Sequence, residues 1–404
     1  MKADWEIKKL GEVCKIVNGG TPDTNIAEFW DGKNLWITPK DMGRLDGIFV
    51  DNTFRKLTDS GLKNSSAKVL PIDSIILSSR APIGHLAINR KPISTNQGCK
   101  GLVPNKNLSS LYLYYFLDKS VELLNSLGTG ATFKELSSAK LADVQIPLPP
   151  LTEQQRIVVI LDETFAAIDR AKANAETNRQ NARALFESYL QSVFANPGEG
   201  WEEKLLSSIC DVKDGTHDSP RYVETGVPFV TQKNIREDGL TLSNTKFISI
   251  EDHQNFYRRS NAAYGDILLS MIGANRGMAC LVDHNSVFSI KNVALIKGNN
   301  KVNQSYLLYF LKSPKAKKYV LDNSNGGAQE FIGLSQLRKF PIVYVSLPIQ
   351  QTIVAKLDAL SAETKKLEAI YRQKIADLDE LKKAILQKAF RGELSKTQGE
   401  ALCE

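Results

Sequence analysis

The sequence predicts an α+β fold: two similar globular domains separated by a long antiparallel two-helix coiled coil, the whole built on a pseudo-two-fold internal repeat. Three observations carry that prediction. The 404-residue chain repeats itself with a period near 196. Each repeat opens with short β-branched runs broken by turn residues, and each closes in about 42 residues of uninterrupted helical composition.

Trp5, Leu10, Cys14 and Gly19 return as Trp201, Leu206, Cys210 and Gly215. Trp36 to Asp41 (WITPKD) resembles Phe229 to Asn234 (FVTQKN), and Asp73 to Ser78 answers Asp266 to Ser270. Tyr112 to Leu117 (YLYYFL) answers Tyr306 to Leu311 (YLLYFL), Gly130-Ala131 parallels Gly327-Ala328, and Gln154-Gln155-x-Ile157 returns as Gln350-Gln351-x-Ile353. Small changes of offset between these blocks mark insertions, so one half is a diverged duplicate of the other. Residues 1–150 form the first domain, 151–200 the first long helix and a linker, 201–346 the second domain, and 347–404 the second long helix and a C-terminal tail.

Within each domain, runs such as Ser74 to Ser78 and Phe247 to Ile250 read as strands between Gly, Pro, Asn and Asp turns. Helical stretches follow at Ser110 to Leu127 and Ser305 to Val320, and the spacing of their aromatic residues places them in the core. After Pro147, Pro149 and Pro150, Thr152 with Gln155 has the form of a capping box, and helix runs from there to about Phe194; the second begins near Pro348 and runs to about Phe390.

A heptad register in the second helix selects Ile353, Leu357, Leu360, Thr364, Leu367, Tyr371, Lys374, Leu378, Leu381 and Ile385, eight of them apolar. The same register in the first selects Ile157, Leu161, Thr164, Ile168, Ala171, Ala175, Asn178, Ala182, Leu185 and Tyr189. A helix of that length is a rod of roughly 63 Å, longer than one such domain covers, which favours a coiled coil with Asn178 and Lys374 as polar seam positions. By repeat equivalence the second helix ends near the Trp5 start of the first domain.

Composition excludes several classes. No apolar run is long enough to cross a membrane and Asp4, Glu6, Lys8 and Lys9 interrupt the start, so a cytoplasmic chain without membrane contact is expected. The five cysteines form no C-x-x-C pair and the four histidines no H-x-x-x-H, so no metal site is expected. Phosphate-loop, nucleophile-elbow and H-E-x-x-H signatures are absent, and Leu148-Pro149-Pro150-Leu151 lacks the polar and aromatic ends of the adenine-methyltransferase motif. No catalytic residue and no cofactor is assigned to the chain. Net charge is +7, and the two domains hold +4 each, a modest excess compatible with a polyanion.

The loops carry the candidate chemistry. Gly19, Gly20 and Thr21, with their counterparts Gly215, Thr216 and His217, offer backbone N–H groups and hydroxyls to phosphates. Arg80 and Asn275-Arg276 place arginines beside small residues, and Asn96, Gln97 and Asn292 are the residue types that pair with base edges. Lys40, Lys100, Lys134, Lys233, Arg236 and Lys291 suit phosphates.

The Trp-x-x-x-x-Leu starts, the Gly-Thr loops, the Pro-Leu-Pro-x-x-Glu-Gln-Gln-x-Ile lead-in to a long helix, and the closing Leu386 to Leu394 (LQKAFRGEL) together resemble the DNA-specificity subunit of type I restriction–modification systems. The second lead-in, Leu347-Pro348-Ile349-Gln350-Gln351, lacks the glutamate. The resemblance implies two target-recognition domains reading a bipartite site in double-stranded DNA. It also implies helices that act as a spacer and dock two modification subunits, which would form an adenine-N6 methyltransferase using S-adenosylmethionine. Restriction and motor subunits using ATP and magnesium would complete the complex. The rival reading is a coiled-coil adaptor that joins protein partners without reading DNA.

Overall fold

A computed structural model describes residues 5–80, 82–130, 134–196, 198–326 and 330–394. The repeat positions Ala131, Gly327 and Ala328, and Pro197 and Cys403, lie outside them. The chain divides into two compact units, Met1–Ala175 with Gln373–Glu404, and Glu176–Arg372, so that each takes part of both long helices.

In the first unit the strand Ile75–Ser79 is buried along its whole length, the apolar run Ile75–Leu77 being followed by two buried serines. It sits at the centre of a five-stranded sheet ordered Cys14–Asn18, Cys99–Pro104, Ile75–Ser79, Ile83–Asn89, Phe49–Val50. Strand alternation sends Ile75 and Leu77 to one face, where they pack with Tyr112, Phe116, Leu161 and Phe165. Ile76 goes to the other face, with Ile37, Val50, Ile93 and Cys99. That second core is closed by a three-stranded sheet, Arg55–Leu57, Trp30–Ile37 and Ile93–Thr95. The antiparallel pair Glu6–Lys9 and Gln145–Leu148 brings the domain's two ends together, Glu6 opposite Leu148.

The second unit repeats the plan. Its sheet is ordered Val212–Asp214, Val293–Ile296, Ile267–Ser270, Ala279–Leu281, and its three-stranded sheet is Lys246–Ile248, Val227–Val230, Ser289–Ile290. Ile267 and Leu269 face the helices while Leu268 faces the smaller core. Glu202 pairs opposite Tyr344, each residue displaced by 196 from its first-unit counterpart. The Tyr112 and Tyr306 stripes are core, as expected: both rings are fully buried and their hydroxyls donate to Pro147 O (2.9 Å) and Val343 O (2.8 Å).

The long helices run Leu151–Ala195 and Leu347–Arg391. The start of the first corrects the capping box: helix already includes Thr152, and the amides of Glu153 and Gln154 bond Pro150 O. The repeated glutamine anchors each helix instead. Buried Gln154 accepts from Ser109 N (2.9 Å) and donates to Asn107 O and Pro149 O (2.9 and 2.8 Å). Gln350 accepts from Asn303 N and donates to Val345 O (2.8 and 2.7 Å).

In the first unit the long helices are antiparallel, since Lys172 bonds Asp379 while Asp169 meets Lys382. Phe390 packs tilted against Tyr112 and edge-on against Phe116 (ring centroids 5.0 and 5.5 Å apart) in the core that also holds Trp5, so the second helix ends where the repeat predicts. In the second unit Phe194, the counterpart of Phe390, stands on Tyr306 and Phe310 (5.5 and 5.3 Å).

The heptad seam is followed only in part. Ile157, Leu161, Thr164, Ile168, Ala175, Ala182, Leu357, Thr364 and Ile385 are buried, and Ala171, Tyr189, Ile353, Leu360, Tyr371 and Leu378 are half-buried. Leu185, Leu367 and Leu381 are exposed, as are the polar positions Asn178 and Lys374. The cause is the pitch: a straight helix drifts by about 20° per heptad against a 3.5 repeat, so Phe186, Glu368, Ile375 and Lys382 rotate inward in place of their neighbours.

Burial pushes the Cys14, Cys99 and Cys280 thiols up to about 12 and that of Cys210 to about 11, so they remain protonated apolar residues. Among the described residues no cluster of His, Cys, Asp and Glu could hold a metal, and no helix is long and apolar enough to cross a membrane.

Candidate nucleic-acid interface

The Gly-Thr loops enter each domain beside the end of the parallel strand pair. Gly19 N–H donates to Cys99 O (3.2 Å) and Gly20 N–H to Thr95 O (2.8 Å); Gly215 N–H donates to Val293 O and Thr216 N–H to Ile290 O, both 3.0 Å. A side chain at Gly19 would collide with the Asn96 carbonyl, one at Gly20 with the Ala67 amide, and one at Gly215 with the Ile290 carbonyl. These glycines therefore permit close backbone approach and their amides are committed internally, which corrects the expectation that they cradle phosphate. The Trp36 indole donates to Gly20 O (2.9 Å) and locks the same loop.

Around this loop the first domain builds a polar cluster. Asn96 donates to Thr21 Oγ1 (3.0 Å) and Gln97 Oε1 (3.1 Å) and accepts from Gly98 N (2.6 Å), while the Thr21 hydroxyl also bonds Gln97 Oε1. Asn96 and Thr21 are thus supports, and Gln97 is exposed, its two amide donors without a partner among the described residues. Lys100 is only 7% exposed. It bonds Asn18 Oδ1 (2.9 Å) and lies 4.0 Å from Glu135, which Arg80 approaches at 3.8 Å. Burial lowers the Lys100 pKa, and its place inside the domain corrects its assignment to phosphate.

The second domain satisfies the same site differently. Asp214 stands where the first domain has Asn18, and its register partner is Ala294 where the first has Lys100. The buried carboxylate takes two bonds from Arg259 (3.0 and 2.7 Å) and one from His217 Nε2 (3.0 Å). His217 Nδ1 reaches Asn292 Oδ1 at 2.7 Å, and Asn292 holds a left-handed φ of 52°. Lys291 bonds Ser219 Oγ (2.6 Å), and the Thr216 hydroxyl bonds Asp218.

The two arginines paired by sequence are not equivalent. Arg80 bridges Glu135, a position taken in the second domain by Ile272 opposite Phe331. Arg276 lies four residues further on, mostly buried against Glu330 and Gly273 O, which corrects its reading as a base contact. Asn275 beside it is exposed. Lys40, Lys134, Lys233 and Arg236 are exposed, and their side chains have no partner among the described residues. Lys40 and Lys233 occupy one repeated turn, each following a threonine cap, Thr38 and Thr231.

Comparison with known proteins decides what this frame is. The type I restriction modification DNA specificity domain matches residues 2–178 and again 198–376. The chain belongs to that family. It is 28% identical to the MjaIX specificity subunit of Methanocaldococcus jannaschii over 97% of this chain and 94% of that one. It is 32% identical to the EcoR124I/EcoR124II specificity subunit of Escherichia coli over 48% of this chain and 50% of the other. In fold it is similar to a chain from a structure of a type I R-M system, with a TM-score of 0.78, 21% identity and coverage of 98% of this chain and 99% of that one. The HsdS subunit from Thermoanaerobacter tengcongensis follows with a TM-score of 0.62, 21% identity and 98% of each chain.

Two features of this specificity chain escaped the sequence. Phe54 is 93% exposed, yet its neighbours are fixed: Thr53 accepts from Trp36 N (3.2 Å) and donates to Arg55 O (2.7 Å), and the Arg55 guanidinium lies 3.6 Å over Trp30. A lone phenylalanine beside a strand carries no signal that separates it from core. Arg259 belongs to the helix Ile250–Ser260, whose inward positions Asp252, His253, Phe256, Tyr257 and Ser260 follow helical spacing.

Proposed function

We propose that this chain is the DNA-specificity subunit of a type I restriction–modification complex, each domain reading one half of a bipartite site in double-stranded DNA. The observation that carries the reading is one repeated frame bearing two chemically different sets of exposed polar groups. Gln97, Lys40 and Lys134 stand on the first; Asn275, Lys233 and Arg236 stand on the second. Two like frames with unlike loops suit two unlike half-sites, with lysines and arginines holding phosphates and amide side chains reading base edges.

The chain is non-catalytic. Methyl transfer to adenine N6 belongs to two modification subunits that hold S-adenosylmethionine, and restriction to motor subunits driven by ATP and magnesium. The leucines that leave the heptad seam support docking: Leu185, Leu367 and Leu381, with Val159 and Ile370, expose apolar surface along the long helices.

The test is methylome sequencing of cells carrying the chain with its modification subunit, joined to a DNA-binding titration against salt. A bipartite methylated motif is expected, with log affinity falling by about 0.9 per neutralised phosphate for each unit of log salt. An unmethylated genome and salt-independent, sequence-blind behaviour would favour the adaptor reading.

A further inference from the structure

The helix Ile250–Ser260 has an outward face whose side chains meet no partner among the described residues. Its inward face is anchored: Phe256 stacks on Phe229 at 5.8 Å, His253 bonds Ser289 Oγ at 2.9 Å, and the Tyr257 hydroxyl donates to Ala262 O at 3.1 Å. Ser249 caps the start and Asn261, left-handed, closes the end. Outward stand Glu251, Gln254, Asn255 and Arg258, all exposed and without a side-chain partner among the described residues, the glutamate on the first turn being the one acidic group of the four. Glutamine and asparagine are the side chains that pair bidentately with adenine, and arginine with guanine.

The helix is also tied to the loop cluster. Arg259, in its last turn, holds the buried Asp214, which carries His217 and through it Asn292. The ion pair fixes the last turn against the loop, so the outward face has a set orientation at the site. Gln254 and Arg258 lie one turn apart, about 6 Å along the axis, close to two base-pair steps of 3.4 Å. A major groove about 12 Å wide admits such a helix.

We propose that Ile250–Ser260 is the recognition helix of the second domain, entering the major groove of one half-site with Gln254, Asn255 and Arg258 as base readers. The inference rests on the DNA-specificity reading and deepens it. The first domain has only the five-residue helix Asp59–Lys63 at the same place, so the helix serves one half-site alone.

The experiment uses the full chain assembled with its modification subunit. Wild type, Arg258→Ala, Arg258→Lys and the triple variant Gln254→Ala/Asn255→Ala/Arg258→Ala are compared by methylome sequencing. Affinity is read on duplexes carrying the wild-type motif or a scrambled second half-site. The triple variant should lose discrimination at the second half-site by about 5- to 150-fold per base pair read and leave the first half-site intact. Arg258→Lys, which keeps the charge without the bidentate fork, should relax one base-pair position while preserving the salt slope. A variant that no longer methylates is judged by the affinity ratio between the two duplexes, which should fall toward one. An unchanged ratio and motif, or equal relaxation of both half-sites, overturns the proposal. If the wild-type complex itself shows no site preference, the DNA-specificity reading fails instead.

Discussion

The two domains are one frame balanced in two ways. In the first, Asn18 at the end of an edge strand meets Lys100 on the neighbouring strand, and Glu135 answers the lysine. In the second, those positions are Asp214 and Ala294, and the positive charge comes from Arg259 on a helix. That helix grows where the outer strand of the three-stranded sheet ends: Leu57 leads through Thr58 into five helical residues, and Ile248 leads through Ser249 into eleven. Backbone geometry is thus held constant while the source of charge moves from sheet to helix, and with it the exposed chemistry. Divergence after duplication can change what a domain reads without touching the bonds that hold its frame.

The largest effects should come from the shared frame. Gly19→Ala and Gly215→Ala each push a methyl into a carbonyl oxygen and should cost roughly 3 kcal/mol or more in their own domain, measured by denaturant unfolding. One position separates the domains: Gly20→Ala should be nearly as damaging, because the Ala67 amide fills the space, whereas its counterpart already carries the side chain of Thr216. Equal tolerance at Gly19 and Gly20 would show that the close packing of this loop does not hold the domain.

Next come the helix anchors. Gln154→Leu leaves three backbone partners without a bond, one buried and two at partly buried places, and Gln350→Leu leaves two, one of them buried, so losses of about 3 and about 2 kcal/mol are expected. The difference between the two, in chemical unfolding of the separate substitutions, checks that the repeated glutamine acts as a latch at both helix starts. Identical small losses would sink that role.

These glutamines also show what the sequence made legible. Their recurrence at an offset of 196 marked the helix starts to within a few residues, because a duplicated chain repeats its frame-building residues in register. The buried Tyr112 and Tyr306 were readable for the same reason, from spacing alone. What stayed hidden depends on distance in sequence or on small angles. Asp214 finds Arg259 45 residues away, and no local pattern announces it. Leu185 and Leu367 fit a heptad on paper, but accumulated drift of the helix turns them outward. Gly19 and Gly20 have the composition of a phosphate loop, and only the carbonyls of Cys99 and Thr95 reveal that their amides are taken.

A smaller effect tests the repeated turn. Lys40→Ala and Lys233→Ala remove one exposed, unpartnered cation from equivalent places. Each should weaken DNA binding almost uniformly across sequences and make the salt slope shallower by about 0.9 for the one phosphate its ammonium neutralises, the two effects being alike. A change in the recognised motif with an unchanged slope would make these lysines base readers instead.

The smallest effect separates the domains by pH. His253, on the helix that only the second domain has in full length, is held against Ser289 and its pKa is lowered by burial. The unfolded chain, with the ordinary histidine value near 6.5, therefore binds a proton that the folded domain resists, and stability rises with pH across that window. The His253 contribution is fully present above the unfolded value and declines as pH falls through about 6.5. His253→Gln keeps a hydrogen-bonding group toward Ser289 but does not titrate. Hydrogen exchange of the Ile250–Ser260 amides, compared between about pH 7.5 and about pH 5.5, should show a loss of protection at low pH that is larger in wild type than in His253→Gln, by less than about tenfold. Because both proteins share every other titrating group, the difference between their profiles isolates this ring; superimposable profiles would place the pH sensitivity of the second domain elsewhere.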